Sequence, residues 1–159
     1  EGLFLMTYEW GNYIGIPTGI ISFDNIRQYV GEMAERFPAD RMYIGIPILG
    51  YMWELPFVLG VSKGIAITSN SAVELSKGIG VAIDYDDISK TAYFQYILDR
   101  EYVVRFRDTR SINEYLELVN EFGLNGISIW NIMQFYPQLW LVVNSLYDIN
   151  NVYEDKENS

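Results

Sequence analysis

The chain has 159 residues, half of them hydrophobic, which is enough for one domain with a buried core. Its net charge of -10 argues against a nucleic-acid-binding protein, because contacts to phosphates need clustered Lys and Arg. The absence of Cys and His excludes disulfides, thiolate metal sites, cysteine nucleophiles and histidine bases, so any acid–base chemistry must use carboxylates or Tyr.

The first predicted element is a strand over residues 3–8, whose nearly continuous apolar run is typical of a strand buried on both faces of a sheet. A phenol, a carboxylate and an indole follow at its end, on Tyr8, Glu9 and Trp10. Side chains at the C-terminal ends of strands face the ligand in an α/β barrel, so these groups are candidates for a sugar-binding site. The alternative is a strand edge with ordinary aromatic packing, since aromatic residues favour strands.

A helix and a second strand are predicted next. Ser22 can cap a helix with apolar residues at helical spacing up to Phe37, and Pro38 ends it. The apolar run over residues 42–50 indicates a second buried strand with Pro47 near its end. Strand, helix and strand in this order predict a βαβ unit with a right-handed crossover.

The pattern then changes to a small α+β unit, because residues 61–108 show alternation instead of continuous apolar runs. Its predicted elements are a strand over 65–67, a helix capped by Ser69 or Asn70 that ends at Gly78, a strand over 81–84, and a hairpin of 91–97 with 101–107. The acidic segment 84–87 is predicted to be a solvated turn in preference to a catalytic or calcium site.

The α/β pattern resumes after this unit. Ser111 to Glu114 reads as a capping box for a helix that stops at Gly123. Residues 125–130 are predicted to form a third buried strand ending in Trp130, and Pro137 opens a last helix. Residues 150–159 are polar and charged, and we expect a frayed tail.

Three strand ends resemble one family. Segments 6–11, 45–56 and 126–131 resemble, in order and spacing, strands six, seven and eight of glycoside hydrolase family 18. Within that family they are most similar to the spore-cortex N-acetylglucosaminidases of the LysM-bearing type. Residues 135–140 also resemble the Phe-Pro-Gln-Asn-Trp segment after the last strand of those enzymes. The resemblance covers roughly residues 2–147.

The resemblance implies an α/β fold, namely a partial TIM (β/α)8 barrel made of strands six to eight and their helices. Residues 1–60 and 109–149 would form this part of the barrel, 61–108 an inserted α+β subdomain, and 150–159 a flexible tail. The chain would then be a piece cut from a longer protein. Three parallel strands without partners leave exposed edges and an open apolar face, so we also expect a homo-oligomer or association with the missing barrel half.

The resemblance also implies a glycosidase in which the 2-acetamido group of the sugar attacks the anomeric carbon. Tyr8 would orient the acetamido group, Glu9 would bind sugar hydroxyls, and Trp130 would form the floor of the subsite. Trp10 and Asn131 complete the predicted substrate-binding residues.

The general acid of that family has no counterpart in the sequence. Its Asp-x-x-Asp-x-Asp-x-Glu motif is not matched, so we predict no catalytic residue in this chain and no activity for the chain alone. Other positions depart from the family pattern. Leu49 and Met52 stand where Tyr and Asp are usual, Met133 and Gln134 where Gly and Arg are common, and Arg105 and Arg107 where an aromatic and an acidic residue are found.

The implied partner is a glycan that contains N-acetylglucosamine, either peptidoglycan or chitin, and no cofactor is implied. The implied location is extracellular, in the cell wall or the spore coat and cortex. No run reaches the ~18 apolar residues of a membrane span. Two alternatives stay open: a non-catalytic glycan-binding or scaffold module, and an unrelated α/β protein in which Tyr8 and Trp130 are core aromatics.

Overall fold

A computed structural model describes residues 2–7, 23–131 and 133–147 of the chain. These residues form a mixed α/β fold with two sheets, one parallel with three strands and one antiparallel with five. The elements in chain order are β1 (Leu3–Leu5), α1 (Phe23–Ala34), a 3-10 turn (Ala39–Arg41), β2 (Met42–Pro47), β3 (Leu49–Leu55), β4 (Ile65–Thr68), α2 (Ser69–Ile79), β5 (Asp84–Asp86), β6 (Thr91–Ile97), β7 (Glu101–Phe106), α3 (Thr109–Phe122), β8 (Gly126–Trp130) and α4 (Pro137–Leu146).

The parallel sheet has the order β1-β2-β8. Because side chains alternate along a strand, the sheet has two faces. On one face Met42, Ile44 and Ile46 are fully buried in a core shared with α1, α3 and α4. On the other face Phe4 is 58% exposed and Met6 is 61% exposed. The sheet therefore has one face covered by helices and one apolar face that is open within the described residues.

The antiparallel sheet has the order β4-β3-β7-β6-β5, and α2 covers one of its faces. A second core lies between them, formed by Ala72 of α2 with Phe94, Val104 and Phe106 of the hairpin. This sheet follows the parallel one directly, since only Ile48 separates β2 from β3. The N–H of Ile48 donates to the carbonyl oxygen of Trp130 at 3.0 Å. This bond links the residue just before β3 of the antiparallel sheet to the last residue of β8 in the parallel sheet.

The predicted single strand over residues 42–50 is wrong, because it is two strands in different sheets. β2 ends at Pro47, and β3 begins at Leu49. Both strands are apolar, so the hydrophobic run continues through the point where the chain changes sheets. The antiparallel sheet therefore begins before residue 61, where the inserted subdomain was predicted to start. The division of the chain into 1–60 with 109–149 and 61–108 stays a prediction.

Both predicted helix caps in this region are wrong. Thr68 caps α2, and its hydroxyl accepts the N–H of Ser71 at 3.0 Å. Asp108 caps α3, and its carboxylate accepts the N–H of Ser111 at 3.0 Å. Ser111 therefore lies inside the helix. Glu114, the supposed partner in the capping box, forms an ion pair with Lys90 at 3.1 Å.

The strand predicted over residues 81–84 begins three residues later, as β5, Asp84–Asp86. The acidic segment is consequently a strand that leads into a turn, and the prediction of a turn throughout is wrong. The hairpin of β6 and β7, the stop of α3 at Gly123 with φ +63°, and the start of α4 at Pro137 are confirmed. Ser22 and the tail 150–159 lie outside the described residues.

The helix predicted from residue 23 is confirmed, but its last turn is not α-helical. α1 ends at Ala34, and its inward side carries Phe23, Ile26 and Val30 at helical spacing. The chain continues through a turn in which the N–H of Arg36 donates to the carbonyl oxygen of Met33 at 3.0 Å, three residues back as in a 3-10 turn.

Replacing Asp86 with asparagine is expected to lower the free energy of unfolding at pH 7 by about 1–3 kcal/mol. The free energy of unfolding of this variant should also change less with pH between about pH 3 and pH 7. Arg105 donates to Asp86 at 3.0 Å, and these side chains are 15% and 23% exposed. Burial raises the pKa of this carboxyl, but hydrogen bonds from Ser89, Arg105 and Ile88 outweigh burial and lower the pKa overall. A carboxyl with a lowered folded-state pKa stabilises the fold above its unfolded pKa, near 4, and the stabilisation is lost as the pH falls through the folded-state value.

Urea unfolding between about pH 3 and pH 7 measures this dependence. Asp84→Asn is the matched control, since this carboxylate lies on the same strand and is exposed. If the free energy of unfolding falls with pH as steeply in Asp86→Asn as in the control, the pair of Asp86 and Arg105 does not stabilise the fold.

Candidate functional site

The candidate site lies where the three parallel strands end. β1 leads into Thr7, which is 2% exposed and donates its hydroxyl to the carbonyl oxygen of Gly45 at 2.8 Å. β2 ends at Pro47, which is paired in register with Trp130 at the end of β8. Parallel strands end at the same edge, so the three chain segments that follow them leave the sheet together.

Trp130 lies on the open face of this edge. Its neighbours Ile127 and Ile129 pack against the helix-covered core, and alternation places Trp130 on the opposite side of the strand. The Trp130 side chain is 51% exposed, although a ring of this size is usually mostly buried. The peptide bond between Trp130 and Asn131 is cis. Because about half of its surface is exposed, the indole can present a ring face to a ligand.

Asn131 organises the backbone that follows Trp130. Its side-chain oxygen accepts the N–H of Met133 at 3.1 Å, and its carbonyl oxygen accepts the N–H of Gln134 at 3.1 Å. Both oxygens of Asn131 therefore have an intramolecular partner. Its predicted role in binding substrate stays a prediction.

The other predicted substrate-binding residues, Tyr8, Glu9 and Trp10, lie outside the described residues. Tyr8 follows Thr7 directly in sequence, and Thr7 is fixed against β2 by its hydroxyl. The structure thus places the end of the strand that precedes them at the same edge as Trp130. Their side chains stay predicted.

Two residues that the sequence analysis did not select for binding stand out at this edge. Met133 is 88% exposed and Phe135 is 73% exposed, whereas Tyr136 beside them is only 2% exposed. Burial and the charge of Asp108 raise the pKa of the Tyr136 phenol, so it stays neutral. The sequence carries no local signal for this difference, because Met133, Phe135 and Tyr136 lie in one short segment of mixed apolar and polar residues.

Acidic groups do not form a metal site in the part of the chain that the structure describes, because no cluster of three or more Asp or Glu could hold an ion there. Among the described helices, none combines the length and the hydropathy that crossing a bilayer requires.

A parallel sheet with an exposed indole at its C-terminal edge, joined directly to an antiparallel sheet, defines an α/β protein with a candidate binding edge at the strand ends. Residues 2–134 match the sequence profile of the glycosyl hydrolases family 18, and the chain belongs to this family. The alternative of an unrelated α/β protein is therefore wrong.

Known proteins of two kinds resemble the chain. The cortical fragment-lytic enzyme of Bacillus subtilis is 30% identical over 147 residues, which are 91% of this chain and 34% of that protein. The crystal structure of the Bacillus cereus spore cortex-lytic enzyme SleL superposes with a TM-score of 0.84 and 30% identity, over 94% of this chain and 35% of that one. The chain thus spans about a third of the length of these relatives.

A chitinase from Chromobacterium violaceum shares the fold. Its structure superposes with a TM-score of 0.78 at 24% identity, over 90% of this chain and 44% of that one. At this identity the similarity is evidence for the fold alone.

Proposed function

We propose that the chain is the C-terminal portion of a glycoside hydrolase that acts on N-acetylglucosamine-containing glycan of the cell wall or spore cortex. The reaction would be substrate-assisted hydrolysis with retention, and the catalytic Glu would lie outside this chain. One observation carries the proposal: β8 brings the indole of Trp130 to the strand-end edge where β1 also ends. The relatives named above, called cortex-lytic and cortical fragment-lytic enzymes, support the choice of glycan.

The proposed chemistry needs an aromatic surface and a hydrogen-bond donor at this edge. An indole offers a flat apolar surface to the C–H face of a pyranose ring, and a phenol can donate a hydrogen bond to the acetamido oxygen as charge develops. Trp130 would supply the first and Tyr8 the second, while Glu9, Trp10 and Asn131 would contact other parts of the sugar. No step requires a metal or an organic cofactor.

The open face of the parallel sheet supports a partial barrel. In a closed barrel, inward side chains from all strands fill the interior in layers. Phe4 and Met6 are more than half exposed here, and Phe4 stacks on Tyr43 with ring centroids 4.8 Å apart. Further strands would cover these residues. Without them we propose that the chain associates with the missing half or with itself, and light scattering that reports a monomer at micromolar concentration would contradict this.

Turnover by the longer parent protein tests the proposed function. We expect the parent to release reducing ends from spore-cortex fragments or from N-acetylglucosamine oligomers, with the anomeric configuration retained, and the 159-residue chain alone to release none. Replacing the candidate Glu upstream of residue 1 with glutamine should abolish turnover. Proton NMR of the initial product records its configuration.

Two other results would each contradict a part of this proposal. A parent that binds the glycan without turnover would support the alternative of a non-catalytic glycan-binding or scaffold module. Turnover by the 159-residue chain alone would show that the acid lies within it. The proposed location, extracellular in the cell wall or spore cortex, depends on the same substrate assignment.

A further inference from the structure

The segment that follows Trp130 exposes two large apolar side chains that are not part of either core of the described residues. Met133 is 88% exposed and Phe135 is 73% exposed, and both lie within five residues of Trp130. Isolated exposed apolar residues are common, but a group of them beside a candidate site indicates contact with a ligand or partner.

Hydrogen bonds and packing fix this segment at both ends. At the start, Asn131 holds the N–H groups of Met133 and Gln134, each at 3.1 Å. At the other end, Tyr136 is 2% exposed and Leu139, in the first turn of α4, is 1% exposed, so both are anchored in the core. The exposed side chains are thus carried by a backbone with fixed ends, which lowers the entropy that a ligand must remove on binding.

The composition around the segment favours an uncharged ligand. No charged residue occurs between Glu121 and Asp148, although 20% of the chain is charged. The amide of Gln134 lies between the two exposed apolar side chains in sequence. Apolar surface with neutral hydrogen-bonding groups and no ionic partner suits a sugar, whose ring has apolar C–H faces and neutral hydroxyls.

We propose that Met133 and Phe135 form a second sugar subsite that continues the surface of Trp130 and contacts the next residue of the glycan. This inference rests on the proposed function, since it takes Trp130 as the first subsite. The occupant is the neighbouring N-acetylhexosamine of the same chain. The Phe135 ring contacts its C–H face, and the Met133 side chain contacts apolar substituents such as an acetamido methyl group.

Binding of short and long oligomers tests the second subsite. Calorimetric titration of the longer parent protein, with its candidate catalytic Glu replaced by glutamine to prevent turnover, compares N-acetylglucosamine with its trimer. Phe135→Ala is expected to weaken trimer binding about tenfold and to leave monomer binding within about twofold. Phe135→Leu should recover little if stacking is the source, and Met133→Ala should weaken trimer binding about threefold.

The matched control is Leu141→Ala, which removes a 70% exposed apolar side chain from α4. Equal thermal midpoints of all variants show that the changes act on binding. Unchanged trimer affinity in Phe135→Ala, with the trimer still bound, would overturn the second subsite alone. A change in oligomeric mass without a change in sugar affinity would also overturn it, because the pair would then belong to a protein contact. Failure to bind either sugar would contradict the proposed function, and the second subsite with it.

Discussion

Replacing Trp130 with alanine is expected to weaken binding of N-acetylglucosamine oligomers by about 30-fold or more, which corresponds to about 2 kcal/mol. The side chain is half-exposed at the strand-end edge, so its removal should take away ligand contact and little of the core. Large aromatic groups at the centre of a binding surface carry most of the binding free energy. Calorimetric titration of the longer parent protein with the trimer, with its candidate catalytic Glu replaced by glutamine, measures the loss.

Two variants separate this effect from general surface changes. Trp130→Phe keeps an aromatic face and should recover part of the affinity. Phe37→Ala removes a 46% exposed aromatic residue that follows α1, before the N-terminal end of β2 and therefore at the opposite edge of the sheet. Equal losses in Trp130→Ala and Phe37→Ala would show that the indole has no particular role.

Replacing Gly50 with alanine is expected to destabilise the fold by about 3 kcal/mol or more. Gly50 lies in β3 opposite Phe106 of β7. An added Cβ would overlap the carbonyl oxygen of Arg105 and lie 2.6 Å from the Cα of Phe106. These atoms belong to the backbone and Cβ of β7, which a side-chain rotation cannot move, so β3 and β7 must separate. Thermal unfolding followed by circular dichroism measures the change.

Gly78 provides the matched control for this substitution. It lies in α2, and a Cβ there meets nothing within 4 Å. Gly78→Ala should stabilise the protein by up to about 1 kcal/mol, because alanine favours a helix over glycine. A Gly50→Ala protein as stable as the unchanged chain would contradict the close packing of β3 against β7.

Local sequence signals predicted the elements that depend on local physics. The hairpin of β6 and β7 followed from alternation on both arms, the end of α3 from Gly123, and the start of α4 from Pro137. Gly123 permits the left-handed backbone conformation that ends a helix, and Pro137 fixes φ at the first helical position. Tertiary packing was not needed to interpret them.

Signals that depend on tertiary partners were misread. β2 and β3 are both apolar, and only their hydrogen-bonding partners reveal that the chain changes sheets at Ile48. The cap of α3 was assigned to Ser111, although the carboxylate of Asp108 three residues earlier accepts its N–H. A carboxylate is the stronger acceptor at a helix N-terminus, and the pattern of a capping box does not rank the two.

The candidate site was predictable in part. Trp130 is predicted as a binding residue because it ends an apolar strand and because that strand end resembles strand eight of the family. The sequence predicts no binding role for either of the next two exposed residues: Met133 is only a departure from the family pattern, and Phe135 is only part of a segment that resembles it. Sequence cannot tell an exposed apolar loop residue from one that turns into the core. Tyr136, which immediately follows Phe135, is of the second kind.

The central claim is that groups from separate strands meet at one edge to hold an amide-bearing sugar. NMR contacts between a bound N-acetylglucosamine oligomer and the aromatic protons of Tyr8 and Trp130 test it most directly. We predict that protons of one sugar, including the acetamido methyl group, show contacts to both rings. Contacts to only one ring, with the other on the far side of the molecule, would contradict the claim.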